Sequence, residues 1–400
     1  MNLNQLLYNK KLKINVGVVG RFHLFDLAFQ LKKFGLLNKL ITTYPKFITK
    51  KWKIDNKEVV SEIFLEILSR FNQIFFIKKL NYFSDCLHLF IMKMHANKCS
   101  KLLKECNLFI GGSSSSLEAL KKSKKLKKIT ILERGSPHVN FQVKNIKTEN
   151  KASGLNPNYE PNILHLNRDL SEYELADYIS VPSTFCKKTF LKYGISKSKL
   201  ILNPYGVDIK IFRPEKKKDK VFRIIFSGAG SFGKGYHYLL RAFYELNLAN
   251  SEVWHLGSIN YEMQSTFNKY KKENWILKGS IPQDQLRNYY SQGSVLILPS
   301  TSEGLALVML QAMACKLPVI CTPNTGGEDI IKNKKEGFII PVRRVDILKN
   351  KILYLYRNSN ICKKMGIAAR KKIIENFTWD HYGIRYLENI NKICKRNHLQ

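Results

Sequence analysis

The sequence predicts an α/β fold: two Rossmann-like domains of parallel sheet that face one another across a cleft. Three observations lead there. Short apolar runs end in glycine or polar turns and give way to helical periodicity, the strand–loop–helix rhythm of parallel sheets with right-handed crossovers. That rhythm runs twice along the chain, and a polar, lysine-rich stretch, Pro214 to Lys220, reads as an exposed linker between the two series. Finally, 400 residues are enough for two full hydrophobic cores.

The first series opens with Lys13 to Gly20, a buried-strand pattern ending in glycine, and a helix from Asp26 to Phe34 follows. Residues 63–99 are a mainly helical, aromatic-rich block. It reads first as core helices of the first domain; the alternative is a membrane-docking face in which Phe75, Phe76 and Phe83 are flanked by Lys78 and Lys79. Leu108 to Gly112 is a strand, followed by a serine run from 113 to 116 and a strand at Ile129 to Leu132. Tyr178 to Val181 and Leu200 to Leu202 close the series, and Asn203 to Asp208 is a turn-rich exit. The second series starts at Phe222 to Gly228. It continues through Val253 to Leu256, Val295 to Leu298, Val319–Ile320 and Gly337 to Ile340.

Composition narrows the function. A hydrophobic fraction of 44% and an aromatic fraction of 12% describe a globular chain. The eight cysteines include no CxxC pair and no zinc-type spacing, so reduced, buried thiols and a cytoplasmic setting are expected. Met1 to Leu12 is polar and does not read as a secretory signal. The longest apolar runs fall short of the ~20 residues that span a bilayer, so any membrane contact is expected from one side, on the inner face. The net charge of +36, from 67 basic and 31 acidic residues, points to a polyanion. An anionic membrane surface fits; a nucleic-acid partner is not expected, because no reading motif is present. Lysine is also spread along the whole chain, so part of this charge is compositional.

Two segments carry the chemistry. Ser227 to Gly235 follows a strand and precedes a helix; its glycines, Gly228 among them, let backbone approach a ligand, and Lys234 offers a point charge to a diphosphate. In Pro299 to Ala314, strand, polar loop and helix succeed one another. That geometry presents the Glu303 carboxylate and the backbone of Gly304, Leu305, Ala306, Leu307 and Val308 to an anionic ligand, with Gln311 two turns into the helix. In the first domain, Glu133, Arg134 and His138 follow a strand, so His138 is expected to reach the crevice. Gly20 and His23 follow the first strand and are candidates to hold acceptor or phosphate. No Asp-x-Asp pair is present, and no metal is expected.

These segments resemble family 4 retaining glycosyltransferases of group 1 type, which have the GT-B fold. The donor signature there is two glutamates with seven residues between them; here they are Glu303 and, in place of the second, Gln311. The phosphate loop matches at Gly228, Lys234 and Gly235, with Ala229 at the family's arginine position. Glu174 to Ser183, Asn203 to Asp208, Thr325 to Ile331, Glu336 to Phe338 and Phe377 to Asp380 match in the same order. The resemblance implies an acceptor domain over 1–205, a nucleotide-sugar domain over 206–378, and a C-terminal helix over 379–400 that crosses back to the first domain. It implies retaining transfer from a nucleotide-diphosphate sugar, a co-substrate with no further cofactor, to a glycan or lipid-linked acceptor in surface polysaccharide synthesis. Glu303 would face the donor sugar, with His138 near it, and Gln311 would take the ribose position with a neutral group. Two alternatives stand: a degenerate member that binds sugar nucleotide or scaffolds an assembly complex, and a sugar-nucleotide epimerase of the same architecture.

Overall fold

The computed structural model describes residues 12–75, 81–154 and 162–397. Phe76, Lys78 and Lys79 lie outside them, as does the side chain of Phe75. Two parallel sheets form the frame. The first holds β1 (Ile14–Val18), β2 (Leu37–Thr42), β3 (Val59–Ser61), β4 (Leu108–Gly112), β5 (Ile129–Glu133), β6 (Tyr178–Val181) and β7 (Leu200–Leu202), in the order β3-β2-β1-β4-β5-β6-β7. The second holds β8 (Phe222–Ser227), β9 (Ser251–Leu256), β10 (Trp275–Gly279), β11 (Val295–Leu298), β12 (Val319–Cys321) and β13 (Gly337–Ile339), in the order β10-β9-β8-β11-β12-β13. β1, β4, β8 and β11 are buried along their whole length, as strands covered by helices on both faces must be. In each sheet the order reverses at the first strand, and the loops at that switch point open on the cleft.

The helices that matter here are α1 (Leu24–Lys33), α2 (Ile63–Phe75), α3 (Asn81–Lys101), α4 (Leu117–Lys125), α5 (Val139–Ala152), α6 (Ile163–Leu175), α7 (Thr184–Lys192), α8 (Tyr236–Leu246), α9 (Leu307–Ala314) and α10 (Trp379–Arg396). All eight cysteines are free, and all but Cys86 are buried. The chain passes between the sheets twice, at 203–208 and at 377–379, and the two passages are fastened together. Val207 N–H donates to the Phe377 carbonyl at 2.9 Å, and Val207 bridges Thr378. A Cβ on Gly206 would stand 2.5 Å from the Trp379 nitrogen, so only glycine allows the backbones this close. Thr378 caps α10, which then lies on the first domain with Tyr382, Tyr386, Leu387 and Ile390 buried. Asp380 receives hydrogen bonds there from Lys33 and Gln30 of α1.

Candidate active site

The two loops of the second domain come together. The Lys234 side chain folds back over Gly228, where a Cβ would lie 3.4 Å from its Cε, and its ammonium ion-pairs with Glu303 Oε1. Ser300 Oγ reaches the same oxygen at 3.4 Å, and among the described residues no hydrogen bond or ion pair falls on Oε2. Glu303 does not cap α9: the N-cap is Ala306, with no side-chain cap bond. The loop is pinned from behind. Glu303 N–H donates to the Asn324 carbonyl at 2.8 Å and Ala306 N–H to the Thr325 carbonyl at 3.2 Å. The amide of Ala306, expected to face a ligand, is therefore already committed; among the described residues those of Leu305, Leu307 and Val308 meet no acceptor. Gln311 is 5% exposed, and its Oε1 accepts from Tyr290 Oη at 3.4 Å, which also bonds Ser227 Oγ beside Gly228 at 3.0 Å. Its carbonyl is thus partly engaged by protein.

The first domain closes directly on this loop. A Cβ on Gly304 would stand 1.9 Å from the Gly135 carbonyl oxygen, so the two backbones touch. Ser183 Oγ donates to the Gly304 carbonyl at 2.7 Å, and Asn145 of α5 donates to Thr301 Oγ1 at 2.8 Å. Further along α5, Glu149 accepts from Arg343 at 2.6 Å and from Tyr238 at 3.0 Å. Arg21 reaches across to Gln283 while its guanidinium lies over Trp52.

Within the first domain the histidine assignments change places. His138 does not enter the crevice. It is 2% exposed, caps α5 by accepting from Asn140 N–H at 3.2 Å, and stacks on Tyr193 with ring centroids 4.7 Å apart. Tyr173 and Phe190 complete the aromatic surround, and burial first, then the nearby Arg134 charge, pushes its pKa down to about 4. The turn through Ser136 and Pro137 carries backbone toward Gly304 and sends the ring back into the domain. Arg134 is consumed structurally, ion-paired to Asp169 at 2.9 Å and bonded to Ser113, Gln142 and the Pro137 carbonyl; it shapes the loop instead of meeting an acceptor.

His23 is the histidine under the cleft. Its Nε2 meets Glu133 Oε2 at 2.8 Å, its ring lies 4.5 Å from that of Tyr205, and its Cε1 is 3.8 Å from where a Gly135 Cβ would stand. The other Glu133 oxygen accepts from Tyr386 of α10 at 2.6 Å. Gly20 is held open beside them, its N–H donating to Thr43 Oγ1 at 3.0 Å. Tyr386, Tyr205, Asn145, Glu149 and Arg343 were not legible as site residues, since each joins the cleft through a partner far away in sequence. Chemically, the cleft offers a cation beside a carboxylate on the second domain, facing a buried histidine–glutamate pair on the first. That suits a ligand with an anionic diphosphate and a polyhydroxyl group.

Residues 207–372 match the family model described as glycosyl transferases group 1. An uncharacterized glycosyltransferase of Methanocaldococcus jannaschii is 23% identical over 248 residues, 58% of this chain and 63% of that protein. The sucrose-phosphate synthase structure from Thermosynechococcus elongatus superposes with a TM-score of 0.68 at 16% identity, covering 96% of this chain and 100% of that one. HepE from Anabaena, solved with UDP and glucose, gives 0.68 at 14% identity over 95% of this chain and 100% of that one. At such identities the structural likeness speaks for the fold, and the chain spans less than two thirds of the length of the first curated relatives it matches. The match over residues 207–372 is thus to the group 1 glycosyltransferases, and the two facing parallel sheets with the returning helix give the whole chain the GT-B fold of the structures it superposes on.

Proposed function

We propose that the chain is a retaining, metal-independent glycosyltransferase that moves a hexose-type sugar from a nucleotide-diphosphate sugar to a hydroxyl of a glycan or lipid-linked acceptor. The place is the cytoplasm, at the inner face of the membrane, in the synthesis of a surface polysaccharide. The observation that carries the reading is the Lys234–Glu303 pair, held where the two second-domain loops meet and next to Gly304, whose backbone touches Gly135 of the first domain. On this reading the donor diphosphate draws Lys234 away from Glu303 and is held further by the free N–H groups at the start of α9. Glu303, released, accepts the sugar hydroxyls and stabilises positive charge at the anomeric carbon as its bond to the phosphate oxygen breaks. The acceptor oxygen bonds to that carbon from the same face, and its proton passes to the leaving diphosphate. Gln311 supplies a neutral hydrogen bond to the ribose, weaker than the charge-assisted bond of a carboxylate.

Titration calorimetry with UDP, GDP, ADP and their sugar conjugates, EDTA present, tests the donor site. Selective binding of one nucleotide that Lys234→Ala weakens about tenfold or more supports it; silence across the panel refutes it. A second reading, a member that binds sugar nucleotide without turnover, is favoured by Ala229 and Gln311. It predicts binding with no release of nucleoside diphosphate on addition of acceptor.

A further inference from the structure

The outer face of the α2–α3 pair holds large apolar side chains in water. On α2, Ile63 is 48%, Phe64 67% and Ile67 59% exposed; on α3, Phe90 is 48% and Met94 43% exposed. The helices run antiparallel, since Glu62 meets His95 at 2.6 Å and Asn72 meets Ser84 at 3.1 Å, which sets Ile67 at the height of Phe90 and Ile63 at that of Met94. α6 starts beside them, where Asn162 bonds Asp85 at 3.0 Å, with Ile163 59% and Leu164 52% exposed. Single exposed apolar residues are ordinary; a set on three adjoining helices marks a surface that something covers. The opposite side of α3, through Ile91, Met92 and Ala96, is the one buried against the domain, so core packing does not account for the outer face.

Charge indicates what covers it. Lys93, Lys98 and Lys101 are exposed along α3, and Lys121, Lys122 and Lys125 are exposed on α4, which packs against α3. The acids nearby turn to partners of their own: Glu62 to His95, Glu66 to Arg70 and Thr43, Glu118 to Arg168. Among the described residues no helix is long and apolar enough to cross a membrane. An apolar centre with a cationic border matches the boundary of an anionic lipid leaflet, where apolar side chains enter the headgroup–acyl region and lysines meet phosphates.

We propose that this face of the first domain, formed by α2, α3 and the start of α6, docks on an anionic phospholipid bilayer. The inference gives a surface to the one-sided membrane contact of the functional reading and rests on it. Vesicle binding and nucleotide binding are measured separately, so the failure of one is visible apart from the other.

The test is co-sedimentation of the chain with vesicles of phosphatidylcholine alone or of phosphatidylcholine and phosphatidylglycerol in equal parts. Binding is expected on the anionic vesicles and is weak on the neutral ones. The double change Phe64→Glu with Ile67→Glu lowers anionic binding about tenfold or more, at an unchanged melting temperature because both side chains already face water. Lys93→Gln, Lys98→Gln and Lys101→Gln together lower it about tenfold to a hundredfold. The same number of charges removed at exposed Lys332, Lys334 and Lys335 changes it by less than about threefold, the difference that sets a local surface apart from overall charge. Parent-like binding of the glutamate variant overturns the proposal. So does an equal loss in the distant lysine control. A parent dimer in light scattering that the glutamate variant dissolves, with no vesicle binding in either, assigns the face to a second copy and overturns it too.

Discussion

Replacing Gly304 by alanine tests whether the two domains work in the contact described here. The new Cβ would stand 1.9 Å from the Gly135 carbonyl oxygen and 2.8 Å from its carbon, both backbone atoms that no rotamer change can move. Ordinary contact needs roughly 3.4 Å, so something must yield by about 1.5 Å. Parting the domains relieves the clash and loses the Ser183–Gly304 bond at 2.7 Å, the Asn145–Thr301 bond at 2.8 Å and the Arg343–Glu149 contact at 2.6 Å. At about 1 kcal/mol for each neutral bond and about 1.5–3 kcal/mol for the charged one, the closed form is weakened by roughly 3–5 kcal/mol. That shifts the open-to-closed ratio by two to three orders of magnitude or more, roughly. Small-angle scattering should then report a larger radius of gyration, while nucleotide affinity, set by Lys234 and α9, stays within about threefold. Gly233→Ala is the control, because its Cβ would meet nothing within 4 Å. Scattering from Gly304→Ala that superposes on the parent would mean the contact does not limit closure, and the reasoning fails.

Lys234→Ala removes the cation paired with Glu303 and should weaken nucleotide binding by about 1.5–3 kcal/mol, read by calorimetry. Glu303→Gln should leave that affinity nearly intact and lower turnover about a hundredfold, measured as nucleoside diphosphate release. Tyr386→Phe leaves buried Glu133 without a donor at 2.6 Å; an equilibrium loss of about 1.5–3 kcal/mol is expected in denaturant unfolding, against almost none for exposed Tyr354→Phe. The folded pKa of His138, about 4, lies below the ordinary 6.5, so the unfolded chain takes up the proton first. Its contribution to stability is therefore full above pH 6.5 and lost as pH falls toward 4, by up to about 3 kcal/mol. The difference in stability between the parent and His138→Gln should shrink across that window, as followed by urea melts.

Much of the frame was legible because buried parallel strands are apolar runs, and Phe222 to Ser227 or Val295 to Leu298 cannot be mistaken for anything exposed. The strands that escaped lack that signal. β2 begins with the half-exposed Leu37, Asn38 and Lys39; β3 is three residues long; β10 lies at a sheet edge with Leu277 exposed and Lys278 half-buried over Trp254. The Glu303 loop stood out as a polar break between an apolar strand and an apolar helix. The histidines did not sort themselves, since both follow strands. Only packing shows that His138 finds aromatic rings and a cap, whereas His23 finds Glu133. Nothing local announces Arg343 either, because its partner Glu149 is 194 residues away.

The late return of α10 has a consequence for how the first domain is made. Its sheet is complete in sequence at Leu202, yet Tyr386, which holds Glu133, belongs to a helix that starts only at Trp379, with 176 residues between. At roughly 5–20 residues per second, synthesis of that interval takes about 9–35 seconds. Through that time a nascent first domain carries an uncovered groove along α1 and a glutamate without its phenol. Meanwhile the whole second sheet emerges and folds ahead of the piece that finishes the first. The amino-terminal half is thus the earlier to begin and the later to mature, and a chaperone that shields the α1 groove during elongation would act on the step the topology makes slowest.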